Sequence, residues 1–232
     1  PDGEPAAYAL FAHCFTCTKN LKSIGHIGRS LTDAGIAMFR FDFTGLGESE
    51  GEFADTNFSS NVGDLLAAAR FLAASYAPPQ ILIGHSMGGP AVMQAARQIP
   101  SALAVVSIGA PADMEHLSRA LMNKRAEIER VGEAEVTIGG RQFTLKQQLF
   151  DDLAQNHMVY LVANLGRPLL ILHSPQDQTV SIEDAYRIFE MARQPKSLIS
   201  LDGADHLLLT ERDARYAGAI IATWAGKYLA GV

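Results

Sequence analysis

Ser86, Asp177 and His206 lie far apart in the chain, but they are the residue types that together perform nucleophilic chemistry. A serine hydroxyl is a weak nucleophile near neutral pH. It needs a base within hydrogen-bond reach, and the base needs a third group to orient it. Ser86 stands in Gly84-His85-Ser86-Met87-Gly88-Gly89, directly after the apolar run Ile81-Leu82-Ile83 and before an alanine-rich stretch. That context reads as strand, sharp turn and helix, with small residues where the neighbouring backbones approach, so the serine is lifted clear of the sheet. Seven histidines compete as the base. His85 lies inside the turn and should point inward, His173 closes a strand, and His26, His116 and His157 fall on expected helices. His206 follows the last expected strand in a glycine-flanked loop, which favours it. Asp177 is the preferred orienting acid. Asp205 adjoins His206, where neighbouring side chains diverge in an extended loop, and Asp202 is the other competitor.

A tetrahedral intermediate needs two amides for its oxyanion. Met87 offers one at the start of the helix after Ser86, where free N–H groups and the helix dipole favour negative charge. The loop after the first strand, His13-Cys14-Phe15-Thr16-Cys17, is expected to offer the other, with Phe15 the best position. The same loop carries a rival chemistry, because Cys14 and Cys17 form a C-x-x-C. A redox pair should open a helix that lowers the thiolate pKa, and a zinc site would need further ligands, of which only His13 is near. Packed thiols in a loop are therefore expected. A second rival is the glycine-rich stretch 42–51. Its spacing matches neither a dinucleotide fingerprint nor a P-loop, so it reads as a structural turn beside the serine.

These groups need elements that bring them to one place. Tyr8 to Ala12, Ile36 to Phe43, the run into His85, Leu103 to Ile108, Leu169 to His173 and Ser197 to Leu201 read as strands buried on both faces. Helical spacing connects them: Leu21, Ile24, Ile27 and Leu31, closed by Gly35; Asn57 to Tyr76; Met87 to Gln98; Ile182 to Phe189; and Arg212 to Leu229. The last is expected to turn Tyr216, Ile220, Ile221, Trp224 and Tyr228 inward. Strand–helix–strand units imply parallel pairing, and loops at the carboxyl ends of such strands converge on one rim. Residues 112–164 interrupt the rhythm. A hairpin at Gly139-Gly140 and charged helical stretches mark a small insertion that could cover the serine as a lid, with Phe143, Phe150, Met158 and Leu161 as local core.

The length of 232 residues suits one α/β domain. The net charge of −6 leaves no basic face, so neither nucleic acid nor an anionic membrane is an expected partner. No apolar run has the length of a membrane span. Two cysteines do not make a disulfide framework, which predicts a reducing, cytoplasmic setting. Asn57-Phe58-Ser59 is then a glycosylation sequon without consequence.

The order Ser, Asp, His and the motifs around these residues resemble the α/β-hydrolase superfamily along nearly the whole chain. Gly84 to Gly89 is similar to its nucleophile elbow, Phe41 to Ser49 to its Asp-x-x-Gly-x-Gly-x-Ser loop, and residues 173–177 and 203–206 to its acid and base loops. More narrowly, residues 13–17, 41–47, 56–62 and 200–206 resemble the hydrolase half of bacterial proteins fused to an OsmC-type peroxide-reducing domain. His13-Cys14 departs from the His-Gly usual at that point of the superfamily. The resemblance implies an α/β-hydrolase fold with a mostly parallel sheet and carboxylesterase-like activity on a small-molecule acyl substrate. A longer parent polypeptide is expected, and self-association is left open. The expected chemistry is ester hydrolysis through Ser86, His206 and Asp177, with the amides of Met87 and Phe15 receiving the oxyanion and no metal or organic cofactor required. The sequence does not separate an ester from a thioester, amide or peptide substrate, so a thioesterase or amidase with the same three residues is one alternative, and a non-catalytic binding or regulatory domain on the same fold is the alternative from another class.

Overall fold

The computed structural model describes residues 1–114, 122–138 and 140–229. His116 and Gly139 lie outside the described residues, as does part of the expected insertion. Six strands, β1 (Ala7–Ala12), β2 (Ile36–Arg40), β3 (Ile81–His85), β4 (Ala104–Ile108), β7 (Leu169–His173) and β8 (Lys196–Ser200), form one sheet in the order β2-β1-β3-β4-β7-β8. Every pairing in it is parallel. Strands β3, β4 and β7 are buried at every residue, as strands covered on both faces must be, whereas the edge strands β2 and β8 are only partly buried. Side chains alternate between two layers. Leu10, Leu82, Val105 and Ile171 face a core shared with α2 (Phe58–Ser75), α3 (Gly88–Ala96) and α7 (Ile182–Met191). Phe11, Ile83, Val106 and Leu172 face the other core, with α1 (Lys22–Asp33) and α8 (Glu211–Leu229).

Three expectations need correction. Strand β2 stops at Arg40 rather than Phe43, because residues 41–43 leave the ladder with β1 and the Phe43 amide donates instead to His13 Nε2 at 3.3 Å. Asn57 is not the first residue of its helix but the cap of α2: its side chain accepts from the Ser60 amide while the Ser60 hydroxyl accepts from the Asn57 amide, a reciprocal capping box. The inner face of α8 keeps Ile221, with Ile220 and Trp224 packed at its margin, but is otherwise made of Ala214, Ala217, Gly218 and Ala225, and Tyr216 is 55% exposed. Close packing of α8 on α1 requires small residues there. A Cβ on Gly218 would lie 2.7 Å from Ser30 Cβ and 2.8 Å from the Ile27 carbonyl oxygen.

The segment between β4 and β7 stands outside the main sheet. It contains α4 (Met122–Val131), an antiparallel hairpin of β5 (Glu133–Ile138) and β6 (Arg141–Lys146), then α5 (Gln147–Gln155) and α6 (Met158–Ala163). Ala134, Val136, Phe143 and Leu145 line the buried face of the hairpin and merge with the α2–α3 core rather than forming a core of their own. Gln148 Nε2 donates to the Thr56 carbonyl at 2.8 Å, and the Ser59 amide donates to Asp152 at 2.9 Å, tying α5 to the start of α2. Among the described residues no helix is long and apolar enough to cross a membrane.

Candidate active site

Ser86 sits between β3 and α3 with φ of +53°, a left-handed conformation that is costly for a residue with a side chain. The turn is feasible because its neighbours lack Cβ atoms. A Cβ on Gly84 would lie 2.1 Å from the Gly88 carbonyl oxygen, and one on Gly88 would lie 2.4 Å from that of Ala12. The Ser86 amide donates to the Ile108 carbonyl at 2.8 Å, which anchors the turn to the end of β4. Among the described residues Ser86 Oγ makes no hydrogen bond.

Asp177 and His206 meet beside that anchor. His206 Nδ1 lies 2.7 Å from Asp177 Oδ2, which leaves Nε2 on the far side of the ring. The residue after Ile108 is Gly109, and a Cβ there would come within 3.3 Å of His206 Nδ1 and 3.4 Å of Asp177 Oδ2. The pair therefore rests on the same turn that holds Ser86. Burial opposes ionisation of Asp177, but bonds from His206 and from the amides of Val180 and Thr179 outweigh it. The carboxyl is held below its ordinary value. It is an anion that can orient an imidazole and stabilise the imidazolium. The rival acids are engaged locally: Asp205 accepts from the Leu207 amide at 2.8 Å, and Asp202 accepts from the Ser200 hydroxyl.

Three further histidines organise this rim: His85 and His173, which the sequence sets aside as bases, and His13, weighed there only as a zinc ligand. His85 points inward, as its place in the turn predicts, and its Nε2–H donates to the His206 carbonyl at 2.7 Å. Burial, then the neighbouring His206, push His85 down to about 3, so it is a neutral donor at working pH. His173 Nε2–H donates to the Val180 carbonyl at 2.9 Å and closes the loop that carries Asp177. His13 Nδ1–H donates to the Cys14 carbonyl at 2.9 Å while Nε2 accepts from the Phe43 amide. Those two bonds specify one neutral tautomer, and burial lowers the pKa of His13 accordingly. Each role was hidden in the sequence because the partner is a backbone carbonyl, which leaves no residue-type signature.

The Cys14 carbonyl also accepts from the Cys17 amide at 3.0 Å. Because the peptide is planar and trans, fixing this carbonyl fixes the Phe15 N–H on the opposite side. Among the described residues neither the Phe15 amide nor the Met87 amide has a hydrogen-bond partner. Met87 is the N-cap of α3, which begins at Gly88 rather than at Met87 as the sequence suggested. The residues Phe15, Phe53, Asn61 and Met87 line a cavity of about 10 Å³, room for roughly one water-sized group. The Phe15 ring packs on Phe53 at 5.4 Å between centroids, and Phe53 packs on Phe143 of the hairpin at 4.8 Å. A larger cavity of about 350 Å³, lined by Arg167 and Arg193, opens at the amino ends of β7 and β8, on the rim opposite Ser86.

Two sequence expectations about loops resolve differently. The stretch 42–51 is a structural turn: the Asp42 carboxylate accepts from the Lys19 amide and Nζ, both at 2.6 Å, and from the Glu48 amide at 3.0 Å. Gly47, at φ +56°, packs against that carboxylate, where a Cβ would fall 2.3 Å away. Cys14 and Cys17, expected as packed thiols, are instead joined as a disulfide with their Cα atoms 5.2 Å apart. A two-residue spacer turning back on itself brings the sulfurs together, which composition alone does not disclose.

The chain matches related proteins along nearly its full length. A solved esterase domain from a Rhodothermus marinus protein is 46% identical, covers 98% of this chain and 90% of its own, and superposes with a TM-score of 0.77. The uncharacterized protein YfhR of Salmonella typhi is 24% identical over 88% of this chain and 67% of its own length. The mitochondrial palmitoyl-protein thioesterase ABHD10 of Rattus norvegicus is 24% identical over 83% of this chain and 63% of its own. The chain thus spans about two thirds of the length of these last two relatives. The model of the alpha/beta hydrolase family matches residues 9–219, and the chain belongs to that family.

Proposed function

We propose that the protein is a serine ester hydrolase acting on small hydrophobic acyl esters. His206, oriented by Asp177, accepts the proton of Ser86 as its oxygen attacks the acyl carbonyl. The Met87 and Phe15 amides receive the developing oxyanion, and His206 returns the proton to the leaving alcohol. Water then releases the acyl group from Ser86 by the same steps in reverse order of roles. The observation that carries this reading is the 2.7 Å Asp177–His206 pair, seated on the turn that also anchors the strained Ser86 elbow. Apo sites commonly hold the serine–base bond long and tighten it with substrate, so its absence here is compatible with that role.

The apolar insertion beside Phe15 supports a small hydrophobic acyl group, and the 46% identical esterase domain supports an oxygen ester. The hairpin, linked to Phe15 through Phe53 and Phe143, is proposed to cover the site. The motifs around His13, Asp42, Asn57 and His206 support a wider reading as the hydrolase half of a polypeptide with an OsmC-type domain. The thioesterase relative favours a second substrate class, and one experiment separates the two. Acetyl, butyryl and octanoyl esters and the matching thioesters are assayed on native protein and on Ser86→Ala. The expected result is a preference for acetyl and butyryl oxygen esters and a loss of about 10⁴-fold or more in the variant. A preference for octanoyl thioesters would transfer the assignment to a thioesterase. Undiminished turnover by Ser86→Ala would remove the serine mechanism.

A further inference from the structure

Phe15, the proposed second oxyanion donor, lies inside a covalent ring closed by the Cys14–Cys17 disulfide. We propose that the Cys14–Cys17 disulfide is a reversible thiol–disulfide exchange site whose state sets the oxyanion loop, and so the rate of Ser86 chemistry. This extends the hydrolase reading and rests on it. Thr16, within the ring, has φ of +64°, a left-handed conformation that a β-branched residue strongly disfavours. It is held there by the disulfide, by the Cys17 amide bonded to the Cys14 carbonyl, and by Arg141 Nη1 of the hairpin donating to the Thr16 carbonyl at 3.1 Å. The disulfide is the covalent member of this set. Opening it allows Thr16 to relax towards negative φ and frees the Cys17 amide from the Cys14 carbonyl, which leaves the His13 bond as the one remaining hold, among the described residues, on the peptide that carries the Phe15 N–H.

The two sulfurs differ in access: Cys14 is 4% exposed and Cys17 is half-buried. The co-reactant is a low-molecular-weight thiol. Its thiolate attacks Cys17 Sγ, forming a mixed disulfide and releasing Cys14 as thiolate, which takes up a proton. A second thiol attacks the mixed disulfide at the sulfur of the first, leaving Cys17 as a thiol and the co-reactant as its own disulfide. Two electrons pass from the thiols to the protein, and a low-molecular-weight disulfide reverses the sequence. The location is what makes the exchange consequential, since the ring encloses a group proposed to touch the transition state rather than a distant surface loop.

The test equilibrates native protein in mixtures of reduced and oxidised dithiothreitol. In each sample free thiols are counted by alkylation and mass spectrometry, and hydrolysis of a butyryl ester and fluorophosphonate labelling of Ser86 are measured. The expected result is that kcat falls in step with disulfide opening, by about ten- to a hundredfold, approaching the loss seen when an oxyanion donor is removed. KM stays nearly constant, and activity returns on re-oxidation. Cys17→Ser is expected to show the lower kcat in both buffers, and if that variant does not fold, the native titration decides alone. A disulfide that opens with kcat unchanged, or that resists reduction in the folded protein, overturns the proposal and leaves the hydrolase reading intact. Absence of both hydrolysis and Ser86 labelling in either state overturns the hydrolase reading, and this proposal with it.

Discussion

His85 shows how much of the site depends on a side chain that performs no chemistry in the proposed mechanism. Its ring is buried, lies 5.1 Å from that of His206 between centroids, and holds the base loop through the His206 carbonyl. The consequence is a pH dependence with a definite sign. An imidazole held at about 3 in the fold, against about 6.5 in the unfolded chain, contributes its full stabilisation above pH 6.5. As the pH falls from about 6.5 to about 3 the unfolded chain binds a proton that the fold refuses, and of order 5 kcal/mol is lost. Denaturant titrations at pH 7.5, 5.5 and 4.5 should show this fall in the native protein and a shallower one in His85→Asn. Equal slopes would mean that His85 is not the group responsible. The depressed carboxyls of Asp177 and Asp42 act in a lower window, contributing stability above the ordinary carboxylate range and losing it only as the pH falls through their folded values. At this scale the sequence was partly legible. Residue type and position singled out Asp177 and His206, which the structure pairs, and proposed Ser86 beside them, whereas the bonds that His13, His85 and His173 make to carbonyls leave no trace in residue type.

Individual elements explain why those residues can be held so closely. The start of α2 is fixed by the Asn57–Ser60 capping box and linked to the insertion by Asn57 Nδ2, which donates to Gln148 at 2.5 Å. Asn57→Ala should therefore cost about 1–2 kcal/mol in a denaturant titration, the loss of a cap. It should also raise proteolytic susceptibility in the hairpin, since the link to α5 goes with it. A change below about 0.3 kcal/mol would show that the cap carries little of the helix's stability. In the sequence this asparagine read as a helix start and an idle glycosylation site; the reciprocal bond depends on Ser60 being three residues on, a weak signal on its own. Helix α8 illustrates the opposite failure. Large apolar side chains drew attention to Tyr216 and Trp224, but the interface is built from Ala214, Ala217 and Gly218 because close approach to α1 selects for small residues. Trp224 instead rests at the margin, its indole N–H donating to Ser197 Oγ at 3.0 Å. The elbow was the most legible element, since steric exclusion dictates Gly84 and Gly88 directly.

Across the whole molecule, strand order explains where the candidate site lies. The chain runs from β1 outward to β2, then returns to place β3 on the other side of β1, so the order reverses there and the loops after β1 and β3 diverge to leave a crevice. Phe15 and Ser86 follow those two strands, and Asp177 and His206 approach from the loops after β7 and β8. Apolar runs made the parallel sheet readable in advance. Strand order and the merging of the insertion with the α2–α3 core were not readable, because they depend on long-range packing rather than local pattern. We propose that sheet and insertion form one folding unit, which predicts a single cooperative transition. Trp224 fluorescence, reporting on the α8 face, and hydrogen exchange in the hairpin should lose their native signals together, whereas earlier loss in residues 133–146 would mark a separate unit. The central claim is that these loops activate one serine, and peptide mapping after fluorophosphonate treatment tests it most directly. The account predicts a single adduct on Ser86, absent in Ser86→Ala and forming at least about 10³-fold more slowly in His206→Ala. An inert native protein, or an adduct on any other residue, would contradict it.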